Sequence, residues 1–139
     1  MSPQTVIATA RVFRAEDPGD SRFYIQATMV SGVLRFEVVA RLASGARGSV
    51  SGKEFFAAMM HHFGGRINII EGDWNSTSGL NDNLDRFNRA LAAGLSFEDA
   101  AALTWTGLRA SESGFGVVAA VQAKGPKGKC SAVRVQFSR

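Results

Sequence analysis

Cysteine is nearly absent from this chain, since Cys130 is its only one. An internal disulfide is therefore excluded, and so is a zinc site that needs two or more thiolates. The same count excludes the zinc-dependent nucleobase deaminases, which require a Cys-x-x-Cys pair. Nothing near Cys130 in the sequence marks an activating base, so we expect a structural thiol rather than a nucleophile.

Long apolar runs are also absent. No stretch approaches the roughly 18 apolar residues that a membrane-spanning helix needs, and residues 1–5 lack the basic start and apolar core of a secretion signal. We therefore expect no membrane association, and export only through something outside this chain. The 139 residues, 45% hydrophobic and 20% charged, are typical of one soluble globular domain spanning residues 1–139.

The charge balance is moderately basic, with a formal net charge of +4. This favours a polyanionic partner such as nucleic acid, or an acidic protein partner. Several cations lie near the C-terminus, where the alternative is a solvated hairpin whose lysines protect a sheet edge from aggregation. These cations are Lys124, Lys127, Lys129, Arg134 and Arg139. The sequence indicates no cofactor and leaves the oligomeric state open.

The first half of the chain predicts three strands and a helix. β-Branched residues favour strands at residues 5–14, 22–30 and 33–42, with a turn at residues 15–21. Two residues, Ser31 and Gly32, separate the second and third strands, which is the spacing of a tight hairpin. A helix then begins with the Ser-x-x-Glu pattern of a capping box, continues with Phe and Met at helical spacing, and ends at a Gly-Gly pair.

The second half predicts a short strand, two helices and a final pair of strands. The complete order is β-β-β-α-β-α-α-β-β, which predicts an α+β domain with three helices on one face of a mostly antiparallel sheet. The predicted elements are a strand at residues 66–71, a helix capped by Asn81, a helix that starts after Ser96 and ends near Ser113, and strands at residues 115–123 and 130–137.

The segment from Glu71 to Gly79 is predicted to be a polar loop between a strand and a helix start, where free backbone N–H groups favour anions. Glu71 and Asp73 are two residues apart, so both point to the same side if the strand continues. Paired carboxylates can bind a metal or serve as general acid and base. The alternative is a pair of exposed turn residues. We predict Glu71 and Asp73 as catalytic residues, without a metal ion.

Polar and aromatic residues beside these carboxylates are predicted to bind substrate. Trp74 is either a wall on which a base or a nicotinamide stacks, or a cap on the core. Asn83 is either a helix cap or directed into the site. The predicted substrate-binding residues are Trp74, Asn75, Ser76, Asn83 and Thr106.

His61 and His62 are the only two histidines. Adjacent residues on a helix face different directions, so the two cannot easily bind one metal ion. We expect one of them to pack beside Phe63 and the other to be exposed. His62 is nevertheless a predicted catalytic residue, acting as general acid or base.

Gly107 lies inside the last predicted helix, where glycine costs roughly 1 kcal/mol relative to alanine. It therefore indicates close approach by another element. Arg109 follows on the same helix and is predicted to be catalytic, as a clamp on a phosphate. The alternative for Arg109 is a surface salt bridge with Glu112 or Asp99.

The pattern from His62 to Phe115 resembles the C-terminal domains of bacterial polymorphic toxins, including proteins with Rhs (YD) repeats. The resemblance rests on His62-Phe63-Gly64, Ile70-x-Gly72-x-Trp74, Asn83-x-x-x-Phe87-Asn88, Ala100-Ala101, Thr104-Trp105-Thr106-Gly107 and Gly114-Phe115. It implies an effector in interbacterial competition that is secreted as part of a larger protein and acts in the cytoplasm of a target cell. It also implies a cognate immunity protein as partner.

Three functions stay open at this point, so enzymatic activity itself is undecided. The first, which we favour, is an antibacterial toxin that cleaves RNA without a metal ion. The second is a toxin that consumes NAD by hydrolysis or by ADP-ribose transfer. Ser76-Thr77-Ser78 resembles the Ser-Thr-Ser strand of arginine-type ADP-ribosyltransferases, but their Glu-x-Glu or Gln-x-Glu element is absent. The third is a non-catalytic module that binds a protein partner.

Overall fold

The computed structural model describes residues 1–77 and 82–139. The chain divides into two compact units, Met1–Asn68 and Ile69–Arg139. Asn81, the predicted helix cap, and Ser78 of the Ser-Thr-Ser triplet lie outside the described residues. The assignment of the whole chain to one domain stays a prediction.

The first unit contains four strands and one helix. The strands are β1 (Gln4–Ala8), β2 (Val12–Asp17), β3 (Asp20–Val30) and β4 (Val33–Val39), and each pairs with the next in antiparallel fashion. The hairpin predicted at Ser31-Gly32 is confirmed. Both residues have positive φ angles, 50° and 77°, which is the backbone that a two-residue hairpin turn requires.

The prediction of one strand at residues 5–14 is wrong, because the chain reverses between β1 and β2. The Oγ1 atom of Thr9 accepts hydrogen bonds from the N–H groups of Arg11 and Val12, at 3.3 and 2.9 Å. A hydroxyl that bonds neighbouring backbone groups competes with continuous strand pairing and favours a turn. The predicted turn at residues 15–21 is correspondingly shorter, because β2 extends to Asp17 and β3 begins at Asp20.

Helix α1 (Gly52–Phe63) packs against β2, β3 and β4. Its predicted capping box is confirmed. The Ser51 hydroxyl accepts from the Glu54 N–H at 3.1 Å, and the Glu54 carboxylate accepts from the Ser51 N–H at 3.0 Å. A single 3-10 turn, Gly64–Arg66, follows α1. The large buried side chains of this unit are Phe13, Phe23, Ile25, Met29, Leu34, Phe55, Phe56, Met59, Phe63 and Ile67.

Among its described residues the second unit contains three strands and three helices. In chain order the elements are β5 (Ile69–Asn75), α2 (Asp82–Ala92), α3 (Phe97–Ala102), α4 (Trp105–Glu112), β6 (Val117–Lys124) and β7 (Ala132–Ser138). β7 pairs with both β5 and β6 in antiparallel fashion. The chain is therefore α+β with antiparallel strands, as predicted, although the described residues contain four α-helices instead of three.

The extra helix arises because the predicted helix after Ser96 is interrupted. Ser96 caps α3 by accepting a hydrogen bond from the Asp99 N–H at 3.1 Å. Thr104 then starts a new helix, since its Oγ1 donates to the Ala101 carbonyl at 2.7 Å and accepts from the Gly107 N–H at 3.0 Å. One hydroxyl thus ends α3 and caps α4.

Gly107 makes the close approach that the sequence predicts. A Cβ atom at this position would lie 2.8 Å from the carbonyl oxygen of Ala102, and closer still to that of Ala101. The first turn of α4 therefore packs directly against the backbone that ends α3. Packing of all helices on one sheet face stays a prediction.

The core of the second unit is formed by apolar side chains from every helix and strand of that unit except β6. The buried apolar residues of this unit are Ile70, Leu84, Phe87, Leu91, Ala100, Ala101, Ala110, Phe115, Cys130, Val133, Val135 and Phe137.

Among the described residues no helix has the length and apolar character needed to cross a membrane.

Candidate functional site

The segment that begins at Glu71 is mostly a strand, which corrects the prediction of a loop from Glu71 to Gly79. β5 continues to Asn75 because its backbone is paired along its length with β7, from Ile70 opposite Phe137 to Asn75 opposite Ala132. Successive side chains of a strand alternate between faces. Glu71, Asp73 and Asn75 therefore share one face of the sheet, and the expectation that the two carboxylates point to the same side is confirmed.

Strands β7 and β6 add further polar side chains to this face. Gln136 stands opposite Glu71 and Arg134 opposite Asp73. On the other side of β7, Gln122 stands opposite Arg134. Directly opposed residues in antiparallel strands project to the same side. We call this surface the polar face, and its members are Glu71, Asp73, Asn75, Gln122, Lys124, Arg134 and Gln136.

Asp73 and Arg134 form an ion pair at the exposed part of the polar face. The Arg134 guanidinium donates to Asp73 Oδ2 at 3.1 Å, and the two side chains are 49% and 48% exposed. An exposed pair of this kind contributes about 0–1 kcal/mol to stability. Half of each side chain faces solvent, so both charged groups are accessible to a ligand.

Glu71 lies beside this pair but is only 3% exposed. The Gln136 amide donates a hydrogen bond to Glu71 Oε1 at 2.9 Å. A buried carboxylate requires such polar partners because burial without them is costly. Glu71 therefore anchors Gln136 on the strand that also carries Arg134.

Trp74 lies on the opposite face of β5 from the two carboxylates. Its indole covers Gly72, where a Cβ atom would come within 2.5 Å of the ring. Trp74 is opposite Val133, a buried core residue, and is itself half-buried. The geometry corresponds to the alternative in which Trp74 caps the core.

Asn75 is the last residue of β5, and Ser76 begins the turn that follows it. The Asn75 side-chain oxygen accepts hydrogen bonds from the Thr77 hydroxyl and, at 3.0 Å, from the Thr77 N–H. The Ser76 N–H donates to the Ser131 carbonyl at 2.9 Å. These contacts form an Asx-type turn at the strand end.

Asn83 and Thr106 are brought together by two reciprocal hydrogen bonds. The Asn83 amide donates to Thr106 Oγ1 at 3.0 Å, and the Thr106 N–H donates to Asn83 Oδ1 at 3.0 Å. The carboxamide thus satisfies a backbone donor in the first turn of α4, where helices leave N–H groups without internal partners. These two residues, both predicted to bind substrate, therefore link α2 to α4 through their hydrogen bonds.

Arg109 lies on α4 and forms the salt bridge that the sequence offered as an alternative. Its guanidinium contacts Glu112 at 2.8 Å and lies 5.6 Å from the centre of the Trp105 ring. The side chain is only 15% exposed. Asp73 is instead contacted by Arg134 of the polar face. The sequence indicated Arg134 only as one of the cations near the C-terminus.

His62 belongs to the first unit, where it packs between aromatic rings. Its ring stacks on Phe13 at 5.0 Å and meets Phe63 edge-on at 4.7 Å, while His61 is exposed. The expectation for the two histidines is thus confirmed. His62 Nε2 lies 2.6 Å from the Thr9 carbonyl oxygen. A carbonyl only accepts, so Nε2 carries the hydrogen.

Asp17 is a further polar residue that the sequence placed in an ordinary turn. It is 4% exposed and accepts from the N–H groups of Gly19 and Val50, both at 2.9 Å, and from the Ser49 hydroxyl at 3.0 Å. Burial raises its pKa, but these hydrogen bonds together outweigh burial and hold the pKa below its ordinary value. They stabilise the carboxylate and fix the segment before α1.

The polar face brings a carboxylate base, a cation and an amide donor together at an accessible surface of the second unit. Cys130, by contrast, is buried with its thiol 3.6 Å from the Pro126 carbonyl. Within residues 1–77 and 82–139 no three His, Cys, Asp or Glu side chains are grouped so that they could hold a metal ion.

The chain matches no protein-family model, no curated protein and no solved structure.

Proposed function

We propose that this chain is an antibacterial effector domain that cleaves RNA without a metal ion, and that the polar face carries the reaction. The supporting observation is the accessible Asp73–Arg134 pair at 3.1 Å. It places a carboxylate base next to a guanidinium that can bind a phosphate. The net charge of +4 favours association with a polyanion.

The proposed reaction is attack of a ribose 2′ oxygen on the adjacent phosphorus. Asp73 removes the proton of the 2′ hydroxyl, which is general base catalysis worth typically 10²–10⁴-fold. Arg134 donates N–H groups to the phosphate oxygens, where negative charge grows in the transition state. The bond to the 5′ oxygen breaks, and that oxygen takes a proton from water. The products are a 2′,3′-cyclic phosphate and a free 5′ hydroxyl.

Glu71 and Gln136 have a supporting role in this proposal. Glu71 is buried and bonded to Gln136, so it does not reach substrate directly. It holds the Gln136 amide on β7, two residues from Arg134. In this proposal Arg109 and His62 stabilise the fold and do not contact substrate. The Arg109 guanidinium contacts Glu112 and Trp105, and His62 Nε2 donates to the Thr9 carbonyl.

Induced expression in the bacterial cytoplasm tests this function. We expect the wild-type chain to stop growth and degrade RNA while cellular NAD stays constant. Asp73→Asn removes the base and should abolish both effects. The matched control is Asp20→Asn, because Asp20 forms a similar ion pair with Arg22 at 2.7 Å in the first unit. Loss of NAD with intact RNA would contradict the proposal.

The biological setting that we propose follows from the resemblance to polymorphic toxins. The domain would be secreted within a larger protein, act in the cytoplasm of a target bacterium and be neutralised by a cognate immunity protein. Co-expression of neighbouring genes with the wild-type domain tests this setting. One of them should restore growth and bind the domain, whereas a failure of every neighbour to do so counts against it.

A further inference from the structure

A second surface of the Ile69–Arg139 unit lies between α2 and the turn that joins β6 to β7. It is an open cleft of about 550 Å³ lined by Asp85, Asn88, Arg89, Ala92 and Gly128. Three of these residues carry polar side chains, and Ala92 and Gly128 are small. We call this surface, together with the exposed Lys127 and Lys129 on either side of Gly128, the basic cleft, because its three cations outnumber its one carboxylate.

The basic cleft is held in place by backbone contacts. Asn88 donates to the Cys130 carbonyl at 3.0 Å and accepts from the Cys130 N–H at 2.8 Å. Gly128 has a φ of 86°, in the left-handed region that favours glycine, and a Cβ atom there would meet Ala92 at 3.4 Å. The turn is therefore fixed against the last turns of α2.

Exposed cations surround this fixed turn. Arg89 forms part of the cleft wall, and Lys127 and Lys129 stand on either side of Gly128. Asp85 is the acidic residue of the lining. Arg89 lies in the last turn of α2, where a cation also interacts favourably with the helix dipole, but that effect does not involve the two lysines.

We propose that the basic cleft binds the phosphodiester backbone of single-stranded RNA, as a subsite of the proposed ribonuclease. The inference rests on that proposed function. The lining favours a backbone rather than bases, since it contains no aromatic ring on which a base could stack. It also favours nucleic acid over an acidic protein, because protein interfaces depend on large buried anchors and the largest apolar side chain in the lining is that of Ala92.

The test compares RNA binding by two triple variants. One removes the cleft cations through Arg89→Ala, Lys127→Ala and Lys129→Ala. The matched control removes three exposed cations of the first unit, through Arg11→Ala, Arg47→Ala and Lys53→Ala. Both are made in an Asp73→Asn background, and a fluorescein-labelled single-stranded RNA oligonucleotide is titrated at several salt concentrations.

Three lost phosphate contacts should reduce the slope of log affinity against log salt by about 2. A tenfold rise in salt would then weaken the parent Asp73→Asn protein about 100-fold more than the cleft variant. The control variant should keep the parent slope. Equal slopes for the two triple variants would overturn the proposal.

Two further outcomes separate this inference from the proposed function. If the wild-type chain binds RNA through the cleft but never cleaves it, the cleft assignment holds and the ribonuclease proposal fails. If polyglutamate competes for the cleft as well as the RNA does, the surface belongs to an acidic protein partner and the RNA assignment is overturned.

Discussion

The packing of Gly107 against the end of α3 gives the sharpest prediction about the fold. Alanine in place of glycine inside an unobstructed helix stabilises it by about 1 kcal/mol. At Gly107, however, the new methyl group would lie 2.8 Å from the Ala102 carbonyl oxygen and closer to that of Ala101. Both are backbone atoms, so α4 must move away from α3.

The expected cost follows from these distances. Overpacking costs typically 1–3 kcal/mol, and we take the upper end, about 3 kcal/mol, because no flexible side chain can yield. Subtracting the gain of about 1 kcal/mol in helix propensity predicts that Gly107→Ala lowers the free energy of unfolding by about 2 kcal/mol. For a chain of 139 residues this corresponds to a fall in Tm of roughly 5–10 °C.

Thermal and urea unfolding followed by far-UV circular dichroism measure this change. The control is Gly65→Ala, since a Cβ atom at Gly65 would meet nothing within 4 Å and its φ is not in the left-handed region. We expect that variant to stay within about 0.5 kcal/mol of wild type. A Gly107→Ala protein as stable as wild type would refute the packing described between α3 and α4.

Three more predictions concern other polar contacts. Because the pKa of Asp17 is lowered in the folded state, its contribution to stability is complete above its ordinary pKa of 3.8 and is lost as the pH falls through the lower folded-state pKa. The Asp17→Asn variant should therefore show a smaller change of Tm with pH in that acidic range. A profile of Tm against pH equal to that of wild type would be the contrary result. Asn88→Ala should lower the free energy of unfolding by about 2 kcal/mol, because it leaves the N–H and carbonyl of Cys130 without their partner; a urea midpoint equal to that of wild type would argue against that role. His62→Ala should lower the free energy of unfolding by about 0.5–1.5 kcal/mol through the lost, exposed hydrogen bond to Thr9. It should keep the RNA cleavage rate of the folded protein, so a folded but inactive variant would return His62 to the catalytic residues.

Local features of the fold could be predicted from the sequence because their causes lie within a few residues. The two-residue connection at Ser31-Gly32 set the hairpin, and Ser51 with Glu54 set the start of α1. Gly107 correctly indicated a close contact. The break in the predicted third helix does not follow from the sequence pattern, because a threonine fits a helix interior as well as a helix cap, and Thr104 caps α4 through the N–H of Gly107.

The candidate site was harder to predict because its contacts join distant parts of the chain. The alternation of polar and apolar residues from Glu71 to Asn75 is itself a strand pattern, but the strand is completed by pairing with β7 at the end of the chain. No local signal pairs Asp73 with Arg134. The sequence therefore indicates the two carboxylates, but it indicates Arg109 on the nearer α4 as the phosphate-binding arginine instead of Arg134.

RNA cleavage by purified Asp73→Asn protein tests the central claim most directly. The substrate is a fluorophore–quencher RNA, the buffer contains EDTA, and the Asp20→Asn protein is the control. Because Asp73 serves as the proposed general base, the account predicts a fall in kcat of at least about 100-fold, with Tm changed by only the small amount expected for an exposed ion pair. An Asp73→Asn protein that cleaves RNA within twofold of the Asp20→Asn control would contradict it.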